Sequence, residues 1–385
     1  MDFTFTEEQQ AAVEAAQAVF SGVTLDAVPS PALVPGAVAE DIDRPLWAAL
    51  ATGDLLSLTL APEYGGAGLD LVALCLVLRE SAKVLARVPL LETCAVAMAL
   101  QRHGDRGLAA ELLPRIGRGE LVLTAGANGR TGHDPAELAV TARPDDASGI
   151  ATAGTDWVLD GVQSGVPWAQ AADWIAVPAH AGDGRAVLAL VRPGDDGVTI
   201  AEQVSTNGEL LGEVRLDAVR IEGRRLIDNA DAWEWLRSVL TVGTCALALG
   251  LGEAVLTMTS QYTGKREQFG FPVATFQAVA VQAADRYIDL RAMEVTLWQA
   301  AWRIAVGGTG VLPPAGDVAV AKIWASDGVR RVVQTAQHLH GGFGADTDYP
   351  LHRFHAWAKQ IELSLGPAAA HEEALGDLLA AHPLD

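Results

Sequence analysis

Positive charge is scarce in this chain. Its 385 residues hold 27 lysines and arginines against 48 acidic residues, a formal net charge of −21. That balance excludes nucleic acid and an anionic membrane surface as partners, because both demand a basic footprint. It does not bear on a small anionic ligand, which meets only its own pocket. Cysteine is scarcer still. Cys75, Cys94 and Cys245 are scattered through apolar runs without metal-ligand spacing. They read as small buried hydrophobes in a reducing cytoplasm. The opening Met1-Asp-Phe-Thr-Phe-Thr-Glu-Glu8 is acidic and polar, unlike a signal peptide, and charge, glycine or proline interrupts the long apolar runs. A soluble, cytoplasmic protein is expected, with no membrane contact. There is no Gly-x-Ser-x-Gly nucleophile elbow, no internal repeat and no low-complexity segment. Gly250-Leu-Gly252 begins like a dinucleotide fingerprint. Val255 stands where the third glycine is needed, and the run is helical instead of following a strand. His338, His340, His352 and His355 cluster in sequence without regular ligand spacing, so no metal site is expected.

What is present is apolar residues, half of the chain, enough for two or three domains with real cores. Residues 1–118 carry helical periodicity. Thr6 stands as an N-cap with Gln9 in the capping-box position. Further helical patterns run from Arg44 to Leu58, Leu71 to about Ala86, Leu90 to His103 and Arg106 to Gly117, with a loop at 61–70. Over 119–229 short β-type runs alternate with Gly, Asp and Pro, indicating an antiparallel domain. From 230 to 385 helical periodicity returns in four segments, 231–263, 272–306, 315–339 and 351–380, which predicts a four-helix bundle. The class is α+β: helices, then a sheet, then helices.

One stretch organises the rest: Lys265-Arg-Glu-Gln-Phe-Gly-Phe-Pro-Val-Ala-Thr-Phe-Gln277. It reads as a helix end, a tight turn at Gly264 and Gly270, and a new helix from Pro272. Arg266, the ring of Phe269 and the amide of Gln277 converge there. An arginine forks onto phosphate and an aromatic face stacks on a base, which suits a dinucleotide. A plain helical hairpin with a solvated arginine is the alternative, and the turn alone leaves both open.

Taken together, the domain order and motifs resemble the acyl-CoA dehydrogenase family of flavoproteins over essentially the whole chain. The resemblance rests on Thr6-Glu-Glu-Gln-Gln10, Pro62-Glu-Tyr-Gly-Gly-Ala-Gly-Leu-Asp70, Arg266-Glu-Gln-Phe-Gly270, Phe276-Gln277, Ala284-Asp285, His338-Leu-His-Gly-Gly-Phe-Gly344 and Asp348-Tyr-Pro350. It implies FAD bound between two subunits, the isoalloxazine held by one and the adenosine diphosphate half contacted by the other. The latter set matches Arg266, Phe269, Gln277, Gly341 and Gly342, with His338 where the family often has glutamine. The flavin-facing Thr-Glu-Pro segment is replaced by Leu123-Thr-Ala-Gly-Ala127. A Trp-Ile-Thr-like run is replaced by Gly165-Val-Pro167 followed by Trp168, so a threonine hydroxyl has become Pro167.

The family reaction removes an α-proton from an acyl-CoA thioester with a glutamate while hydride leaves for the flavin. Of the two positions where the family places that base, one holds Leu365 and the other Leu240. Neither can accept a proton. Glu362, almost one helical turn from Leu365, is a weak candidate for a displaced base, and a solvated surface acid is its plainer reading. The chain thus resembles the base-less subunit of actinobacterial heteromeric (α2β2) acyl-CoA dehydrogenases, most closely over Val332 to Arg353. That resemblance implies a catalytic partner subunit holding the acyl-CoA, with a steroid side-chain CoA as the candidate substrate, and an acceptor such as electron-transfer flavoprotein. A homomer using Glu362 and a flavin-free structural or acyl-CoA-binding relative are the alternatives.

Overall fold

The computed structural model describes residues 4–25, 28–30, 36–39, 41–132, 137–145, 154–307, 310 and 312–382. Residues 1–3 of the N-terminal reading, and 308, 309 and 311 of the Gly/Pro-rich loop before the third C-terminal helix, lie outside them.

Helix α1 (Glu7–Phe20) starts where its cap requires. Thr6 Oγ1 accepts from Gln9 N at 3.2 Å, and Gln9 Oε1 accepts from Thr6 N at 3.1 Å, which satisfies two otherwise orphaned amides. Helix α2 (Arg44–Thr52) is shorter than its apolar pattern predicts, because Gly53 and a left-handed Asp54 (φ 55°) stop it. Leu55, Leu56 and Leu58 are buried all the same, in tight turns. Helix α3 (Leu71–Lys83) also ends early, at a left-handed Leu85. Helices α4 (Leu90–His103) and α5 (Arg106–Gly117) take the expected limits.

The sheet comprises β1 (Leu123–Ala125), β2 (Val140–Pro144), β3 (Trp157–Pro167), β4 (Trp174–Ala181), β5 (Ala186–Val191), β6 (Val198–Val204), β7 (Leu210–Ile221) and β8 (Leu226–Ile227). Its order is β6-β7-β3-β2-β4-β5-β8, with β1 on β4. Most pairings are antiparallel, but β1–β4 and β2–β4 are parallel, so the sheet is mixed. Neither β1 nor β2 meets β4 through a hairpin, the connection that forces antiparallel pairing.

Among the described residues five α-helices follow in place of the four segments expected. They are α6 (Ala232–Lys265), α7 (Gln277–Val306), α8 (Pro314–His340), α9 (Leu351–Leu363) and α10 (Ala368–Ala381). The segment 351–380 breaks at Leu365 (φ 58°), Gly366 (φ 95°) and Pro367, a sequence that cannot continue a helix. Gly264 lies inside α6. The turn is carried instead by a two-strand hairpin, β9 (Glu267–Gln268) and β10 (Phe271–Pro272), with Gly270 at φ 82°. Among the described residues, α6 alone is long and apolar enough to cross a membrane by length and composition, and most of that stretch is buried within the protein. It packs on α3, α4, α7, α8 and α9. Gly250 serves this packing: a Cβ there would lie 1.9 Å from the Arg79 carbonyl oxygen on α3. Beside it, Arg79 pairs with Glu253 of α6 and, at 3.4 Å, with Glu294 of α7, which ties three helices at one point.

Candidate functional site

An interior cavity of about 150 Å³ lies where the three parts of the chain meet. Helices α3 and α4 form one wall, the ends of β1 and β3 a second, and α6 with the α9–α10 elbow the third. The two positions singled out in the sequence come together here. Leu240, 3% exposed on α6, and Leu365, 7% exposed in the elbow, both line it. The elbow is held firmly. Lys322 Nζ on α8 donates to the Ile361 and Glu362 carbonyls at 3.2 and 3.0 Å, and to Ser326 Oγ at 2.8 Å. Burial lowers the Lys322 ammonium to about 8, opposed by Cys245 and Glu362. His371 Nε2 lies 2.9 Å from the Leu365 carbonyl, which can only accept, so the ring carries its proton there. Burial drops this imidazole to about 4 and keeps it neutral. Glu362 does not line the cavity. Its carboxylate meets Lys359 at 2.6 Å and Arg330 at 3.7 Å.

On the sheet side the polar groups are turned inward on the protein. Thr124 Oγ1 donates to the Pro167 carbonyl at 2.6 Å. Gly165 is held at both ends: its N–H donates to Gln203 Oε1 at 2.8 Å, and its carbonyl accepts from Asn128 Nδ2 at 3.1 Å. Trp168 adopts φ 58°, unusual for a bulky residue. Its indole lies close enough to the Glu92 carboxyl on α4 to favour the ionised form, and both residues line the cavity. Burial pushes the Glu92 carboxyl up to about 7, against its own backbone hydrogen bond and that indole. Sequence reading missed Glu92 and gave Trp168 no role. A lone acid within an apolar helix was the available signal.

The six residues assigned by resemblance to a cofactor lie elsewhere, on an outer face. Arg266 ends α6 and its guanidinium makes no ion pair among the described residues. Phe269, at φ 54°, is 91% exposed at the tip of the β9–β10 hairpin. Gln277 opens α7, and His338 stands near the end of α8; both are exposed. Gly341 (φ 60°) and Gly342 follow, with nothing near where their Cβ atoms would be. Arg266 and Gly342 share a cleft with Tyr262, His340, Phe343 and Asp346. Phe269, Gln277 and His338 do not line it. Tyr262 stacks on His340 at 4.4 Å and on Phe343 at 5.2 Å, an aromatic platform the sequence reading did not single out. His340 is fixed by Ala336 O at 2.8 Å and Tyr349 Oη at 3.1 Å, and burial lowers its imidazole.

Comparison with known proteins places these features. Residues 6–120 match the acyl-CoA dehydrogenase N-terminal domain, and residues 235–379 match the acyl-CoA dehydrogenase C-terminal domain. The chain belongs to the acyl-CoA dehydrogenase family. It is 35% identical to acyl-CoA dehydrogenase FadE27 of Mycobacterium tuberculosis, over 89% of each chain. A chain of the ChsE4–ChsE5 complex from the same organism superposes with a TM-score of 0.89, at 33% identity and full coverage of both. A chain of the Tcur3481–Tcur3483 steroid acyl-CoA dehydrogenase superposes at 0.87, with 36% identity over 97% and 98% of the two chains. In an acyl-CoA dehydrogenase the residues here fit FAD unevenly. The outer face offers an unpaired arginine, an exposed ring and an open glycine turn. The inner face has its threonine hydroxyl spent on Pro167, a proline without an N–H, and a tryptophan ring beside the cavity.

Proposed function

We propose that this chain is the non-catalytic subunit of a heteromeric acyl-CoA dehydrogenase, completing the FAD site of a catalytic partner in an α2β2 assembly. One observation carries the reading: both base positions are buried leucines on the wall of one cavity. Desaturation of an acyl-CoA needs a group within hydrogen-bond reach of the α-proton, and leucine offers none. The Glu362 alternative is weakened by geometry, since its carboxylate is engaged by Lys359 and Arg330 away from the cavity. FAD, when bound in the partner, supplies the hydride acceptor. This chain's part is to grip and orient: Arg266 suits a phosphate, the Phe269 ring a base, and the Gly341–Gly342 turn a close backbone approach. Gln277 and His338 add side-chain hydrogen-bonding capacity nearby.

The acyl-CoA then sits in the partner, and a steroid side-chain CoA is the substrate class favoured by the likeness to a steroid acyl-CoA dehydrogenase. Electron-transfer flavoprotein is the proposed acceptor, and the cytoplasm the proposed location. The test is the visible absorption spectrum of the chain alone and co-purified with the acyl-CoA dehydrogenase expressed beside it. Flavin confined to the complex, near one FAD per pair of chains, supports the reading. A yellow lone chain that bleaches with an acyl-CoA makes it an ordinary homomer.

A further inference from the structure

We propose that Trp168, latched by Glu92, is a plug that closes this chain's own cavity to a ring-bearing ligand, the isoalloxazine of FAD foremost. The proposal rests on the reading above that the chain runs no flavin site of its own, and it names what shuts that site.

Three observations carry it. First, Trp168 forms, with Glu209 and Leu210, the wall shared by the interior cavity and an outer cleft lined by Asp41, Ile42, Arg44 and Gln170. Second, the ring is held at both ends. Its backbone turns left-handed directly after β3, with the Trp168 carbonyl accepting from Ala171 N at 3.0 Å. Its indole also interacts with the Glu92 carboxyl, which lines the same cavity. A bulky residue keeps φ near +58° only where its surroundings over-determine it. Third, the strand is tuned around the ring. Gly165, three residues earlier, carries no side chain and is pinned by Asn128 and Gln203. The Thr124 hydroxyl is directed at Pro167 O instead of into the cavity. An aromatic ring therefore stands at the cavity wall, with the neighbouring polar groups engaged by the strand's own backbone.

The test uses the full chain, alone and in complex, as wild type and as Trp168→Gly, since glycine accepts the left-handed backbone. Flavin is read by absorbance per chain, and thermal melting is followed with and without millimolar indole. The wild-type chain should carry no flavin alone and ignore indole. Trp168→Gly should melt lower and recover several degrees with indole. Its complex should bind more than one FAD per pair of chains, with indole competing the excess away. Glu92→Leu, which keeps the ring but loses the acceptor, should give a smaller gain in flavin, and it decides the matter if Trp168→Gly does not fold. A Trp168→Gly chain that takes no indole, or takes indole but no further flavin, overturns the plug and leaves the proposed function standing. So does a folded Glu92→Leu chain without flavin gain when the glycine variant fails. One FAD per wild-type chain overturns the proposed function and the plug together.

Discussion

Glu92 keeps its proton to about pH 7 because α4 carries it into a largely apolar pocket. Only the Trp168 indole and its own backbone oppose that shift; Cys94 beside it is itself pushed up to about 12, and the nearby Glu209 is engaged by Arg87 at 2.7 Å. An unfolded glutamate ionises near 4.5, so between there and 7 the folded state holds the extra proton. Stability is therefore full below that window, falls as pH rises through it, and levels off above 7. Glu92→Gln should flatten the profile, gaining on wild type by about 1–3 kcal/mol between pH 5 and pH 8. Urea melts at the two pH values measure it, and parallel profiles would contradict a buried, protonated Glu92. His371 runs the other way. Its folded imidazole titrates near 4, below an unfolded value of 6.5, so stability is lost as pH falls from 6.5 toward 4. His371→Gln keeps a donor for Leu365 O without that liability. It should lose less stability than wild type between pH 7 and pH 5, by about 1–2 kcal/mol in the same melts.

At the scale of elements, the close crossing of α3 and α6 depends on Gly250. Gly250→Ala forces a Cβ into the Arg79 carbonyl and should destabilise the chain by about 1–3 kcal/mol, read as a lower melting temperature. Close approach also explains why Gly250-Leu-Gly252 resembles a fingerprint while being none: a Cβ at Gly252 would meet Leu290 at 2.7 Å. Elements with strong local signals were legible. The Thr6 capping box and the limits of α4 and α5 follow from side chains within a turn of each boundary. Elements set by distant packing were not. Strand β3, interrupted by Gly161 and Gly165, has no clean alternation, yet it pairs with both β2 and β7. Strand β6 is a partly solvated edge strand with little apolar burial to mark it. The hydropathy of Leu55, Leu56 and Leu58 continues α2 on paper, while one left-handed Asp54 ends it in space. The cavity fared similarly. Its two leucines could be named by position, but the Trp168–Glu92 contact joins β3 to α4 across 76 residues of sequence and leaves no local trace.

Across the whole molecule the outer face and the interior have separate fates. Arg266→Ala removes a solvent-exposed cation that the proposed function assigns to the partner's FAD, and should leave the fold intact. It should weaken flavin retention by the complex about tenfold, the scale of one charge-assisted contact. Flavin absorbance after gel filtration at rising salt checks it, and an unchanged yield would count against the completing role. Leu240 and Arg266 sit on one helix, 26 residues apart, a contour of about 39 Å at the rise of an α-helix. The inner end lines the cavity of this chain, whereas the outer end faces solvent. Distance along a single rod thus insulates the two sites from each other. A substitution at one end can therefore change the lining of the cavity without moving the outer residues at the other.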